Sequence, residues 1–561
     1  MSYIIYKSDV WRSAKTMCFE IIERDLLARV GRLKTKSGKV ETPVLLPVVN
    51  PNVQPIPPKE MLEKFGCKAL ITNAYILKKH FGEEAAEKDV HKLLEFEGVV
   101  MTDSGAYQIL VYGDVEVSPE EIVRYQEAIN TDIAVILDVP TGWDVKRENA
   151  EKTVEETLLR AKELWKIKKR DDILWVGPVQ GGKFTDLISK SAREVGELPF
   201  QIHALGSPTP VMEQYLFDLL VDMIMAAKMN LPVERPLHLF GAGHPFMFSL
   251  AIALGCDMFD SAAYAIYARE DRYLTEYGTF RLEKLSWLPC SCPVCTKYDA
   301  KSLKEMPKKE REKLLAEHNL YVCFEEIRKI KQAIVEGRLW EHLEMCCQSH
   351  PALLQALKRI GKYAEFIERH SPIIKRSGLF FFSHLDLNRP EIVRYRKRLA
   401  ENYSPPKETK ILVLLPQTRE KPFHKSKEQK TFSKALKRKL GEKIRLLHIC
   451  TYAAPFGVVP NELDEVYPLS QNELAFPLDE ETLDYVAKQV AEFLEKTNYE
   501  RVFLLENVEG WKGKIESSCA SICEKKEISL FTVKTKEWTK KTAEDLAELV
   551  ANVMLEGRDA Q

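Results

Sequence analysis

The stretch from residue 98 to residue 139 contains two short apolar runs, GVVMTD (98–103) and IAVILDV (133–139), separated by the helical pattern PEEIVRYQEAIN (119–130). Strands that alternate with helices of this length predict a parallel sheet. Seven or eight such units in one run favour a (β/α)8 TIM-type barrel over a doubly wound sheet. Five further apolar runs on either side supply them: ALIT (69–72), LWVGPVQGG (174–182), FQIHALGS (200–207), PLHLFGAG (236–243) and CDMFDSA (256–262).

The composition excludes several classes of protein. The chain has 561 residues, 45% of them hydrophobic and 29% charged, which is typical of a globular protein of several domains. Its 82 Lys and Arg residues against 83 Asp and Glu exclude a globally basic nucleic-acid binder, but not a local basic patch. The sequence has neither an apolar run of ~18 residues nor a signal peptide, and its twelve cysteines are too sparse for a disulfide scaffold. We therefore expect a cytoplasmic protein with no membrane partner.

Composition shifts divide the chain into four predicted segments. An N-terminal extension (1–17) precedes the barrel (18–370), which carries a cysteine-containing subdomain at about 285–350. A helical connector and linker (371–409) follows, because ENYSPPKETK is polar and contains Pro-Pro. Residues 410–561 form a second, smaller α/β domain. Its predicted strands are 410–416, 444–450 and 501–507, and its predicted helices are 430–441, 480–497 and 541–555.

Chemically distinctive residues stand at or just past the ends of the predicted strands: Asp103, Asp138, Gln180, Gly206, His244 and Asp260. A barrel places its active site at the carboxyl ends of its strands. Taken singly, each of these residues could be only a turn former or a helix cap. Six in register indicate an active site. Two carboxylates on one barrel mouth, Asp103 and Asp260, suit chemistry at an anomeric carbon, where one attacks and the other shuttles a proton.

The strongest local motif is PCSCPVC (289–295), in which Cys290, Cys292 and Cys295 have the spacing Cys-x-Cys-x2-Cys. Three thiolates at this spacing can reach one ion, and His318 on a predicted helix can complete a tetrahedral Cys3His site. Since all four ligands would be protein atoms, the sequence predicts one structural zinc ion per chain. The alternative is a group of free cysteines near a loop.

Seven motifs together resemble the tRNA-guanine transglycosylase family in order and spacing across about residues 18–350. They are MTDSGAYQ, ILDVPT, VGPVQGG, HALGS, HLFGAGHP, MFDSAAYAIYARED and PCSCPVC with His318. The segments HLFGAGHP and FDSAAYAIYAREDRY are similar to sequences of the archaeal branch of that family. The resemblance implies the TIM-type barrel, zinc at the four ligands above, a homodimer, and tRNA with guanine and 7-cyano-7-deazaguanine as substrates.

The resemblance also implies a role for each matched position. Asp260 matches the nucleophile that attacks the ribose, and Asp103 matches the general acid/base. Tyr107 matches an aromatic residue that stacks on the base. The remaining matches, which contact the guanine-like edge, are Asp138, Gln180 and the backbone of Gly206. The implied reaction replaces guanine at position 15 of the tRNA D-loop through a covalent Asp-ribose intermediate, toward archaeosine. Such chemistry requires the base to be extruded from the folded tRNA.

The second domain keeps two alternatives open. PQTREKPFHKSKEQ (416–429) resembles a motif of the paralogous archaeosine synthases, but Gln417 and Gln429 replace its Cys and His, and Phe423 replaces its Tyr. Loss of the thiol and the imidazole argues against synthase chemistry on the installed base. A catalytically silent tRNA-binding subunit is the other alternative, which the intact aspartates and zinc ligands disfavour.

The last feature is a basic stretch, residues 405–446, with thirteen Lys and Arg residues against four Glu. It could follow a phosphate backbone, or it could be only a solvated helix face. The residues after 497 lack the many short Gly-punctuated strands of a small β-barrel. Family members of the archaeal type commonly end in an RNA-binding PUA module. We therefore expect a separate PUA-type protein, or the basic stretch itself, to supply that contact.

Overall fold

The computed structural model describes residues 18–106 and 117–556, so the predicted N-terminal extension and Tyr107 lie outside the described residues. The chain forms two compact units. The first runs to Tyr363 and includes His370–Pro372, and the second comprises Ala364–Arg369 and the chain from Ile373 onward. Among the described helices, none has the length and apolarity that a membrane crossing requires.

The first unit opens with an antiparallel sheet of three strands, β1 (Phe19–Asp25), β2 (Ala28–Lys34) and β3 (Lys39–Thr42). The exposure of β1 and β3 alternates along the chain, as expected for strands with one covered face. Phe19 and Leu33 on that face pack in one apolar cluster with residues of the barrel strands. The sheet therefore extends the barrel core.

Eight parallel strands then close into a barrel in chain order, with the last strand paired to the first. The predicted (β/α)8 TIM-type barrel is therefore confirmed. The strands are β4 (Val44–Val49), β5 (Ala69–Asn73), β6 (Val99–Asp103), β7 (Ile133–Val135), β8 (Leu174–Val179), β9 (Ile202–Leu205), β10 (Leu237–Leu239) and β11 (Met258–Ser261).

Helices connect successive barrel strands and cover the barrel. Pro119–Ala128 shows how the sequence starts one: Ser118 and Glu121 form a reciprocal capping box, and Pro119 takes the first position. The other helices of this layer are Pro58–Phe65, Ala74–Phe81, Glu83–Lys88, Val90–Leu93, Arg147–Ile167, Thr185–Gly196, Thr209–Glu213, Phe217–Lys228, Phe248–Ala253 and Ala263–Arg269.

A hairpin and a run of helices complete the first unit. The hairpin strands are β12 (Arg272–Thr275) and β13 (Gly278–Arg281). The helix Lys308–Glu336 spans 29 residues and ends at Gly337, whose φ of +73° is the left-handed conformation that glycine adopts most easily. The other helices are Pro293–Lys297, Ala300–Glu305, Leu339–Cys347 and Pro351–Ile360.

The second unit is a smaller α/β domain, as the sequence predicts. Its five-stranded sheet has the order Gly457–Pro460, Leu447–Ala453, Ile411–Pro416, Arg501–Asn507, Ser529–Thr535 and is parallel except for the first of these strands. Helices cover both faces, each over its own apolar cluster. The strands are β14 (Leu379–Phe381), β15 (Ile411–Pro416), β16 (Leu447–Ala453), β17 (Gly457–Pro460), β18 (Asn472–Leu474), β19 (Arg501–Asn507) and β20 (Ser529–Thr535). The helices are Ala364–His370, Pro390–Asn402, Lys427–Leu440, Glu480–Lys496, Val508–Trp511, Lys514–Lys525 and Lys540–Glu556.

The segment predicted as a connector and linker, residues 371–409, contributes to the second unit. Leu379, Phe381 and Ile392 are buried in one apolar cluster with Phe423 and Phe456. Residues 371–409 therefore include β14 and the helix Pro390–Asn402 and supply part of the core of this unit.

Candidate active site

The carboxyl ends of the barrel strands bring the predicted site residues to one mouth. Asp103 ends β6, and Asp260 lies within β11. Gln180 and Gly206 follow β8 and β9 directly, and Asp138 lies three residues beyond β7. Tyr107 lies outside the described residues.

Asp260 is held through one of its two carboxylate oxygens. Oδ1 accepts a hydrogen bond of 2.9 Å from the backbone N–H of Gly241. His238 Nε2 lies 2.8 Å from the same oxygen, and since an ionised carboxylate only accepts, Nε2 carries the proton. Among the described residues, none donates to Oδ2. The carboxylate is thus fixed in orientation with one oxygen available to react.

The environment of Asp103 favours the protonated form of its carboxyl. Burial is the largest cause that raises the pKa of this carboxyl, to about 7, and the nearby charges of Asp138 and Asp260 add to it. Oδ2 accepts hydrogen bonds from Asn73 Nδ2 at 3.0 Å and from the backbone N–H of Gly105 at 3.3 Å. A carboxyl with a pKa near neutrality can both donate and accept a proton at physiological pH.

Asp138 and Gln180 form a buried pair beside it. Gln180 Nε2 donates to Asp138 Oδ2 at 2.6 Å, while Gln180 Oε1 accepts from the backbone N–H of Thr141 and from Ser207 Oγ. Burial raises the pKa of Asp138 to about 6, and the hydrogen bond from Gln180 opposes that rise. The pair offers oriented acceptor and donor atoms to a polar ring.

Gly206 is required by close packing. A Cβ added to this residue would lie 2.2 Å from Nε2 of Gln180, closer than any allowed contact. A side chain at position 206 would therefore displace the Gln180 amide from Asp138.

The contacts of His244 indicate a structural role. Its Nδ1 accepts from the backbone N–H of Phe246 at 3.3 Å, and its Nε2 lies 2.8 Å from Thr279 Oγ1. Burial lowers the pKa of the imidazole to about 3, so the ring is neutral. These contacts match the helix-cap alternative for this position.

Two residues that contact Asp103 and Asp260, Asn73 and His238, are not among the site residues predicted from the sequence. Asn73 pairs with Asp103 across β5 and β6 and also caps the helix Ala74–Phe81. His238 lies on β10 and is fully buried. His238 belongs to a predicted strand run and Asn73 directly follows one, but only the register of the closed sheet shows that they face the aspartates.

The four predicted metal ligands converge. The ligand atoms of Cys290, Cys292, Cys295 and His318 all lie within 4.8 Å of one another. His318 Nδ1 is 3.5 Å from Cys292 Sγ and 3.4 Å from Cys295 Sγ. Nε2 of the same ring lies 2.9 Å from the carbonyl oxygen of Leu274, which can only accept, so Nε2 is protonated and Nδ1 presents its lone pair to the sulfurs. The cluster can hold a metal ion.

Gln417 and Gln429, the two glutamines of the synthase-like motif in the second unit, are both hydrogen-bonded. Gln417 Oε1 accepts from the backbone N–H of Ala454 at 2.9 Å, and Gln429 Nε2 donates to Thr451 Oγ1 at 2.7 Å. Both amides therefore stabilise local structure. Phe423, at the tyrosine position of the motif, is buried in the core.

A closed parallel barrel whose mouth carries one carboxylate held through a single oxygen and a second carboxyl that binds a proton near neutrality suits chemistry at an anomeric carbon. Residues 25–352 match the family model described as queuine tRNA-ribosyltransferase. Residues 392–553 match a second model, described only as a domain of unknown function.

Several curated relatives span most of the chain and are named tRNA-guanine(15) transglycosylase. The protein of Methanocaldococcus jannaschii is 44% identical over 85% of this chain and 73% of its own length. The protein of Pyrobaculum aerophilum is 46% identical over 82% of this chain and 90% of its own length. The protein of Sulfolobus acidocaldarius is 40% identical over 87% of this chain and 95% of its own length. The chain therefore belongs to the queuine tRNA-ribosyltransferase family, in its archaeal-type branch, and is a tRNA-guanine transglycosylase enzyme.

Proposed function

We propose that this enzyme replaces guanine at position 15 of the tRNA D-loop by 7-cyano-7-deazaguanine, through a covalent Asp260-ribose intermediate, in archaeosine biosynthesis. The observation that carries the proposal is the contrast between two carboxylates at one mouth. Asp260 is oriented by two donors on Oδ1, while Asp103 has a pKa near 7. The relatives' name supports guanine in tRNA, position 15, as the site of exchange.

In the first step, Asp260 Oδ2 attacks the ribose C1′ of the extruded nucleotide. The glycosidic C–N bond breaks, its electron pair goes to the base, and Asp103 gives its proton to the departing guanine. Two hydrogen bonds to Oδ1, from the backbone N–H of Gly241 and from His238, hold the carboxylate in place while its negative charge is lost to the new C–O bond.

In the second step, the deazaguanine occupies the vacated pocket and Asp103 takes its ring proton. The freed electron pair attacks C1′ and expels the Asp260 carboxylate. Two inversions retain the configuration at C1′, as in retaining glycosidases. One carboxyl can serve both steps because its pKa lies near neutrality.

The remaining residues of the mouth recognise the base. Asp138 and Gln180, already joined by a 2.6 Å hydrogen bond, contact the guanine-like edge, and the Gly206 backbone contacts the base. By resemblance, Tyr107 stacks on the ring. A pocket that hydrogen-bonds a base rejects analogues lacking those groups, since its buried polar atoms would be left unpaired.

The direct test is mass mapping of a tRNA transcript after incubation with the enzyme and 7-cyano-7-deazaguanine. We expect the mass change at nucleotide 15, with release of guanine. Reaction only on tRNA that already carries the deazaguanine would favour a synthase paralogue. Binding without any exchange would favour a silent subunit. The hydrogen-bonded Gln417 and Gln429 disfavour the synthase alternative, because neither offers a reactive thiol or imidazole.

We also propose one structural zinc ion per chain at Cys290, Cys292, Cys295 and His318. The donor set fits, because four protein ligands with a neutral imidazole complete a tetrahedral site and leave no position for water. Zinc bound there would join the segment that carries the three cysteines to the helix Lys308–Glu336, which carries His318. A homodimer is proposed from the resemblance, and sedimentation velocity tests it.

Cys292→Ser should remove the tightly bound zinc and lower the thermal midpoint by at least about 5 °C, because a structural metal contributes directly to folding. Zinc content and melting are measured on the same preparation. Cys18→Ser is the control, since Cys18 is a half-buried thiol outside the cluster. Full zinc content and unchanged melting in Cys292→Ser would contradict the assignment.

Gly206→Ala should reduce kcat/KM for exchange by about 10- to 100-fold, because the new methyl group displaces Gln180 from a charged partner. Gly38→Ala provides the matched control, since a Cβ at Gly38 meets nothing within 4 Å. Steady-state exchange of labelled guanine measures both variants. If Gly206→Ala stayed within about twofold of the wild type, Gln180 would have no part in base recognition.

A further inference from the structure

Three further metal-binding side chains converge in the first unit, away from the Cys3His cluster in sequence. Glu326 Oε1 lies 3.0 Å from His342 Nε2 and 3.8 Å from Cys346 Sγ. Cys346 Sγ lies 3.7 Å from His342 Nε2. The three donor atoms thus form a compact triangle.

Two helices and their spacing build this triangle. His342 and Cys346 are four residues apart on the helix Leu339–Cys347, which puts both on one face. Glu326 comes from the facing helix Lys308–Glu336 and is only 2% exposed. Ser249 Oγ, from a third helix, lies 3.4 Å from both Glu326 Oε1 and Cys346 Sγ. His342 and Cys346 remain partly exposed, so solutes can reach the triangle.

The orientation of the imidazole argues for more than an ion pair. Glu326 and Cys346 both face the same ring nitrogen, Nε2, of His342. One nitrogen carries at most one proton, so Nε2 can donate to only one of these partners, and the remaining contact, from the Cys346 thiol to Glu326 Oε1, is long at 3.8 Å. A cation at the centre would satisfy the lone pair of Nε2, the carboxylate and the thiolate together.

Two of the three distances lie within about 0.1 Å of those expected around a tetrahedral metal ion, and the third, between Glu326 and His342, is about 0.3 Å shorter. Ligand atoms around a tetrahedral zinc ion, with bonds of about 2.0–2.3 Å, stand roughly 3.3–3.7 Å apart. The triangle measures 3.0, 3.7 and 3.8 Å. The corresponding distances from His318 to two sulfurs of the Cys3His cluster are 3.4 and 3.5 Å.

We propose that Glu326, His342 and Cys346 form a second metal site, which binds a zinc-class divalent cation with three protein ligands and one open position. Imidazole with thiolate and carboxylate suits zinc rather than magnesium or calcium. The ion joins the helix Leu339–Cys347 to the helix Lys308–Glu336. Ser249 is placed to orient Glu326 or a metal-bound water. With one thiolate instead of three, the site releases zinc more readily than the Cys3His cluster.

Metal stoichiometry tests the proposal. Wild-type protein dialysed against Zn²⁺ should bind about two ions per chain, whereas Cys346→Ser and His342→Ala should bind about one. Cys18→Ser and His80→Ala should keep both ions, because Cys18 is a half-buried thiol and His80 an exposed imidazole outside the triangle. A wild-type protein with one ion, or a second ion that survives both substitutions, would overturn the proposal.

A second measurement uses the unaltered chain, in case the variants fold poorly. Alkylation of Cys346 by iodoacetamide, followed by peptide mass mapping, should slow at least about tenfold when Zn²⁺ is added, because a metal-bound thiolate is a poor nucleophile. Alkylation at Cys18 provides the internal reference. Equal rates at Cys346 with and without Zn²⁺ would show an ion pair only and would end the proposal.

Discussion

Asp260→Ala is expected to abolish base exchange, with a loss of about 10⁴- to 10⁶-fold, because without the carboxylate there is no group to form the covalent intermediate. The trapped enzyme–tRNA adduct, seen as a retarded band under denaturing conditions, should disappear as well. Gly241 and His238 hold Asp260 through Oδ1, whereas the Asp103 carboxyl, with a pKa raised to about 7, binds a proton near neutrality and is the weaker nucleophile. Asp103 therefore cannot substitute for it.

The control for this variant is Asp186→Ala, which removes an exposed carboxylate from a barrel helix, where its ion pair with Arg147 contributes little. It should keep wild-type exchange and adduct. Circular dichroism and melting should show both variants folded. An Asp260→Ala protein that still formed the adduct would place the nucleophile elsewhere, and one with near-normal exchange would refute the covalent route.

The sequence predicts the barrel well because its signal is local and repeated. Seven of the eight barrel strands follow from apolar runs between amphipathic helices. The eighth, Val44–Val49, has Pro47 in its interior and Pro43 just before it, and proline argues against a central strand. The three-stranded sheet before the barrel and strand β20 have weaker patterns, since polar residues interrupt their alternation.

The site shows the same division between local and long-range information. The cysteine spacing places three ligands within seven residues, so it is visible in the sequence. His238 is different: its contact with Asp260 depends on the parallel register of β10 and β11. The triangle of Glu326, His342 and Cys346 joins two helices and matches no sequence motif that indicates a metal. Only packing brings it together.

The pH dependence of the first half-reaction is the sharpest test of Asp103. Because its pKa is about 7, Asp103 carries a proton below neutrality and loses it as the pH rises through 7. The departing guanine needs that proton. We therefore expect the single-turnover rate of adduct formation, measured from about pH 5.5 to about pH 9, to fall up to tenfold per pH unit above 7. Asp103→Asn should lower the rate by about 10²- to 10⁴-fold and remove this fall, which is the alkaline limb of the pH profile.

Asp138→Asn separates the proton role of Asp103 from a general loss of binding. The Asp138 charge helps to raise the pKa of Asp103, so replacing it by a neutral amide lowers that pKa. The limb should then move to lower pH, even though the rate itself also falls because base recognition is damaged. If Asp103→Asn kept the alkaline limb of the wild type, the titrating group would be another residue. The same conclusion would follow if the limb did not move in Asp138→Asn. The Asp138 charge is only one of several causes that raise the pKa of Asp103, so the direction of the shift is the decisive result.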